Sequence, residues 1–155
     1  MEGKGTTAPD QEAVAMPRTD AGHRTAAHTA DLRVQAWAPT REECVAHAVA
    51  AVVESVVGAG PPPATTTVER DLEGATDADL LAAVIDEAVY LMETRGLLPT
   101  ATEARATPTG LRVRFAMADV DAVVPVGAVP KAVSLHQLRC ERGPEGWWCA
   151  VTVDV

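Results

Sequence analysis

The order of hydrophobic patterns along the chain predicts an α+β domain, with two helices packed on a largely antiparallel sheet. Three observations carry this. Apolar and polar residues alternate with period two from Asp31. Two later stretches carry apolar residues at helical spacing, and each begins at a capping residue. After Gly96 every patterned segment is strand-like. Strand, helix, strand, helix and then strands alone is the signature of helices gathered on one side of antiparallel strands.

The elements follow in order. Residues 1–26 are rich in Gly, Thr, Ala, Pro, Asp and Glu and show no sustained period. Such a segment lacks the apolar surface to offset its ordering entropy, so it reads as a disordered tail before a domain over residues 27–155. Leu32, Val34 and Ala36 alternate with Asp31, Arg33, Gln35 and Trp37, which predicts a strand ended by Pro39. Thr40 followed by Glu43 forms a capping box. Val45, Val49, Val52, Val53 and Val56 then mark one helical face. A loop at residues 58–63 leads to a second strand at 65–72. Asp77, or Thr76 before it, caps a second helix whose stripe runs through Leu80, Leu81, Val84, Ile85, Ala88, Val89 and Met92, and Gly96 closes it.

Strands are expected near residues 100–107, 111–117, 131–140 and 147–155. The turn at Gly143 to Gly146 sets a register for the last two. Gly143 faces Gly146 and Cys140 faces Cys149; an unbroken ladder then places Leu135 opposite Asp154. Leu135, Val133 and Lys131 would share the face of Asp154 and Thr152, while Trp147, Cys149, Val151, Val153 and Val155 would point into the core.

Composition narrows the function. The 155 residues are 47% hydrophobic and 23% charged, which suits one globular domain. Only 3% are aromatic, so the core must be built from Val, Leu, Ile and Ala. A net charge of −9 argues against a protein that grips nucleic acid through a basic face. The longest apolar runs are too short to cross a bilayer. The first residues lack the apolar core of a secretory signal. Three cysteines do not form a disulfide framework. A cytoplasmic protein is the expectation. Gly-rich phosphate loops, nucleophile elbows and zinc motifs are missing from the sequence.

The unusual features sit at strand ends. His28-Thr29-Ala30-Asp31 opens the first strand, and Val153-Asp154-Val155 closes the last. If the fold brings Asp31 to Asp154 and the carboxylate of Val155, the cluster repels itself unless a cation neutralises it. A hard divalent ion with oxygen ligands is the natural occupant. The other reading is two ordinary solvated strand ends. Lys131 could offset those carboxylates or face a partner, or simply be solvated. His136 reads as a core histidine in mid-strand.

Four stretches in order resemble the archease family. These are His28-Thr29-Ala30-Asp31; Leu80-Leu81 through Tyr90-Leu91 to Gly96-Leu97-Leu98; Lys131 to His136; and Gly146-Trp147-Trp148 with the terminal Val153-Asp154-Val155. The resemblance covers residues 27–155 and implies an elaborated strand-helix-strand-strand domain. It implies a non-enzymatic activator of an RtcB-type RNA ligase, which joins RNA ends in tRNA splicing or RNA repair. The activator promotes guanylylation and multiple turnover of the ligase and meets RNA only through it. By motif position Asp31, Asp154 and Val155 would bind a divalent metal, calcium by preference. Lys131, His136 and His28 would belong to the partner surface. The alternative is a chaperone or specificity modulator of other RNA-modifying enzymes, such as a methyltransferase.

Overall fold

A computed structural model describes residues 20–27, 31–58 and 60–155. Among these residues seven strands and two helices follow as β1 (Gly22–Ala27), β2 (Asp31–Ala38), α1 (Arg41–Val57), β3 (Thr66–Glu73), α2 (Asp77–Arg95), β4 (Leu97–Ala106), β5 (Gly110–Asp119), β6 (Ala132–Gly143) and β7 (Gly146–Asp154). A 3-10 turn, Val120–Ala122, follows β5. The strands divide into two antiparallel sheets, ordered β1-β2-β7-β6 and β3-β5-β4.

The helices form where the caps require. The Thr40 hydroxyl accepts the Glu43 N–H at 3.1 Å, and the Thr76 hydroxyl accepts the Asp79 N–H at 3.0 Å. Each replaces a bond that the first turn cannot make internally. Thr76 rather than Asp77 is therefore the second cap. Gly96 ends α2 in the left-handed region, at φ 63°, and returns its N–H to the Leu91 carbonyl.

Both helices touch both sheets. Helix α1 packs on β1, β2 and β7 of the first and on β4 of the second, whereas α2 packs on β6 and on β3, β4 and β5. Two covered sides explain why the buried stripe of α1 is wide, taking in Cys44, Val45, Ala48, Val49, Ala51, Val52, Val53 and Val56. Small residues there let the strands approach. The core is aliphatic as composition demands, with Leu81, Ile85, Leu91, Leu98, Leu111 and Met117 around the single Phe115.

Two expectations are corrected. Residues 22–26 are not tail, because β1 pairs with β2 from Gly22↔Trp37 to Ala27↔Leu32. Its hold is tertiary rather than apolar. A Cβ at Gly22 would come within 2.6 Å of the Trp37 ring, so glycine is what lets that ring lie across the strand. The Arg24 Nε donates to Gln35 Oε1 at 2.6 Å, and His23 bonds α1. The second correction concerns register. Cys140 does face Cys149, but the ladder shifts between Ser134 and Arg139, so Ala132, not Leu135, lies opposite Asp154. Val133 faces Val153 and turns toward the core. A bulge intervenes, and a bulge resets the faces of everything beyond it.

Candidate functional site

The outer face of the four-stranded sheet carries the chemistry. In β2 Leu32, Val34, Ala36 and Ala38 are buried inward, so Asp31, Arg33, Gln35 and Trp37 lie on the opposite face, where Gln35 is itself buried. Their partners on β7 are Asp154, Thr152, Ala150 and Trp148. The face is therefore graded, from a carboxylate pair at one end, through a guanidinium and a hydroxyl, to two tryptophans. Arg24 stacks over Trp37 at 5.5 Å and Arg139 over Trp148 at 6.0 Å.

Asp31 opens β2 and Asp154 closes β7, and the two are direct register partners. Residues opposed in this way hold their Cβ atoms about 5 Å apart and share a face. Neither carboxylate joins an ion pair among the described residues. The Lys131 N–H donates to the Asp154 carbonyl at 2.8 Å, which fixes Lys131 at the same end of the sheet. Its exposed side chain does not share the Asp154 register position, since Ala132 holds that place. Val155 is half-buried and packs against the core, as expected.

His136 departs from its expectation. It is exposed, not a core histidine, and lies in the bulge of β6. Its N–H donates to the Ser134 hydroxyl at 3.2 Å, and the neighbouring Leu135 is 74% exposed. His28 lies outside the described residues.

The carboxylate end is flanked by apolar surface. Helix α1 runs back along β2, and 17 residues of helix span roughly the length of eight residues of strand, so its C-terminus lies toward Asp31. There the Val126 N–H donates to the Val56 carbonyl at 2.6 Å, which docks the β5–β6 loop. The same loop exposes Val124, Val126 and Val129.

Two groups escaped the sequence. His23 Nδ1 lies 2.9 Å from His47 Nδ1, and His23 Nε2 lies 3.0 Å from a Glu54 oxygen. Burial and the adjacent His23 lower the His47 pKa. His23 sat in the segment read as tail, so no signal pointed to it. Arg33 looked like any polar residue of an alternating strand. Its Nη1 donates to Thr152 Oγ1 at 3.0 Å and to the Gln137 carbonyl at 3.2 Å.

The thiols are structural. Cys149 Sγ lies 3.3 Å from Cys44 Sγ inside the core, closing a pair that register alone did not suggest. Its hydrogen bond with Cys44, then burial, raises the Cys149 pKa, and burial pushes Cys140 up to about 12. Thiols held protonated are poor nucleophiles.

Among the described residues no three His, Cys, Asp or Glu side chains gather to hold a metal. The oxygen donors of Asp31, Asp154 and the Val155 main chain still suit a hard cation in kind. They are too few for calcium by themselves, so solvent or a partner must complete any shell. No helix among the described residues is long and apolar enough to cross a membrane.

Comparison with known proteins gives one answer. Residues 23–155 match the model of the archease protein family (MTH1598/TM1083). The chain is 48% identical over 139 residues to the "Probable protein archease" of two Mycobacterium tuberculosis strains, CDC 1551 / Oshkosh and H37Rv, covering 90% of this chain and 78% of each relative. The solution structure of Methanobacterium thermoautotrophicum protein 1598 superposes with a TM-score of 0.69 at 17% identity, over 86% of this chain and 99% of that one. The crystal structure of an archease from Thermotoga maritima, described as a possible chaperone, gives 0.56 at 21% identity, over 83% of this chain and 93% of that one. The family model, whose match takes in both helices and the paired aspartates, and the 48% identity show that the chain belongs to the archease family.

Proposed function

We propose that this chain is a non-enzymatic activator of an RtcB-type RNA ligase, acting in the cytoplasm to promote guanylylation and multiple turnover of the ligase. The observation that supports this best is the Asp31↔Asp154 pairing at one end of the sheet, with Lys131 and Val155 beside it. Family membership and the placement of these family-motif positions point the same way.

In this reading Asp31, Asp154 and the main-chain oxygen of Val155 hold a divalent cation, calcium by preference. A bound cation would cancel their mutual repulsion and offer its open coordination positions to a nucleotide or a carboxylate of the ligase. Lys131 supplies a second positive charge at the same end, and the exposed valines of the β5–β6 loop supply apolar area. The overall charge of −9 steers the protein toward the basic channel an RNA ligase needs. A chaperone role toward other RNA-modifying enzymes would use the same apolar edge, and the description of the Thermotoga relative favours keeping it as the second reading.

The test is guanylylation and multiple-turnover RNA joining by the cognate ligase, with and without this protein. Stimulation by the wild type should disappear in Asp31→Ala and Asp154→Ala while both variants keep the wild-type circular dichroism. Full stimulation by both variants, or none by the wild type, would move the function to the second reading.

A further inference from the structure

The bulge in β6 is held at its far end by Leu138, which packs against the core, and its outer residues 135–137 need a hold of their own. Leu135, His136, Gln137 and Leu138 lie between Ser134 and Arg139, where β7 has only Val151 between Thr152 and Ala150. An insertion of this size leaves main-chain groups without ladder partners. Gln137 also takes φ 57°, the left-handed region that disfavours any residue with a Cβ. The bond from His136 N–H to Ser134 is local and cannot tie the bulge to the sheet. Arg33 can. It reaches across β7 from β2, resting on the Thr152 hydroxyl and donating to the Gln137 carbonyl. A charged donor makes that bond stronger than a neutral one would be.

The row Arg33–Thr152–Ser134 is next to the row Asp31–Asp154–Ala132 on the same face. The bulge therefore emerges just beyond the Arg33 row, which separates it from the carboxylate pair. We propose that Arg33 is a positioning residue of the partner surface: anchored on Thr152, it clamps the Gln137 carbonyl and so presents Leu135 and His136 on one side of its own row, with Asp31 and Asp154 on the other. The proposal rests on the activator reading above and adds a second apolar element, Leu135, to the docking contact. Leu135 is the anchor, since a large side chain 74% exposed at the tip of a held bulge offers area at little entropic cost. If Arg33 served only as a counter-charge to the aspartates, a lysine would replace it. Both bonds leave one nitrogen, Nη1, at the end of a planar group, and the shorter ammonium of a lysine, not held in that plane, meets the two acceptors less well.

The experiment uses the full chain and three variants, Arg33→Lys, Arg33→Gln and Thr152→Val. Two measurements are made: backbone 15N order parameters of the free protein, and activation of the cognate ligase. In the wild type residues 135–138 should be as rigid as the strands, with order parameters about 0.85. Arg33→Gln should drop them below about 0.6, leave β2 and β7 unchanged and weaken the ligase interaction at least tenfold. Thr152→Val, which removes the anchor but keeps the volume, should shift both readouts the same way by less. It also carries the test should Arg33→Gln not fold. Arg33→Lys should fall short of the wild type in both. A bulge that stays rigid in Arg33→Gln, or full activation by Arg33→Lys, overturns the clamp. A loosened bulge with undiminished activation overturns the positioning role and leaves the activator reading standing. A wild type that activates nothing refutes the activator reading, while the order parameters still decide the clamp.

Discussion

Replacing Asp154 by Asn should change the stability of the protein with opposite signs in the absence and presence of a divalent cation. Asp154 and Asp31 are register partners on adjacent strands, and neither is paired with a described cationic side chain. At about 5 Å two unit charges in a water-like dielectric repel by about 0.8 kcal/mol. Salt at physiological strength roughly halves this, because the separation is comparable with the Debye length. With a chelator present, Asp154→Asn should therefore be more stable than the wild type by about 0.5 kcal/mol, or about 1–3 °C in thermal midpoint for a domain of this size. A cation at a hundred times its dissociation constant reverses the order. It stabilises the wild type by about 2.7 kcal/mol, and the variant, which has lost half the charge of the site, by far less. Calorimetric or circular-dichroism melts in chelator and in excess calcium, repeated with magnesium and manganese, would read both arms. Asp31→Asn should behave alike, because the repulsion belongs to the pair. A wild type more stable than Asp154→Asn in chelator, or equal cation gains in both, would refute the reasoning.

Two further outcomes follow from the core and from the histidines. Phe115 is fully buried at the centre of β5, so Phe115→Ala should cost about 3–5 kcal/mol, seen as a lowered urea midpoint with little change in slope. Burial, then His23, holds the His47 pKa below its ordinary 6.5, so the folded state binds fewer protons there than the unfolded chain. That contribution is complete above pH about 6.5 and is lost as the pH falls through the lowered value. The thermal midpoint should drop on that side, and His47→Gln should flatten the drop; a midpoint that rises on acidification would contradict it.

Local chemistry made much of the fold legible. Thr40 and Thr76 cap because a hydroxyl at that position satisfies an N–H that no helix can satisfy internally. Gly96 stops α2 because only glycine enters the left-handed region freely. The tight turn at Gly143 to Gly146 fixed the near end of the β6–β7 ladder, and Cys140 faces Cys149 as the count of residues required. The far end was not legible. Alternation continues through a bulge, and nothing in Leu135-His136-Gln137 shows that Arg33, more than a hundred residues earlier, takes the carbonyl. Strand β1 was lost for a similar reason. Its residues are small or polar, and what holds them is Gly22 under Trp37, Arg24 on Gln35 and His23 on His47.

The candidate site divides along the same line. By itself the sequence determined that Asp31 and Asp154 stand at strand ends and that the protein is acidic, because each is a matter of residue type and local period. Only the tertiary structure decided that the two aspartates are opposed across β2 and β7, that Lys131 bonds Asp154 through its main chain, and that His136 is turned out to solvent on a bulge. Pairing between strands distant in sequence is set by how two buried faces register against the helices between them. That is a property of the packed whole, which no local pattern carries.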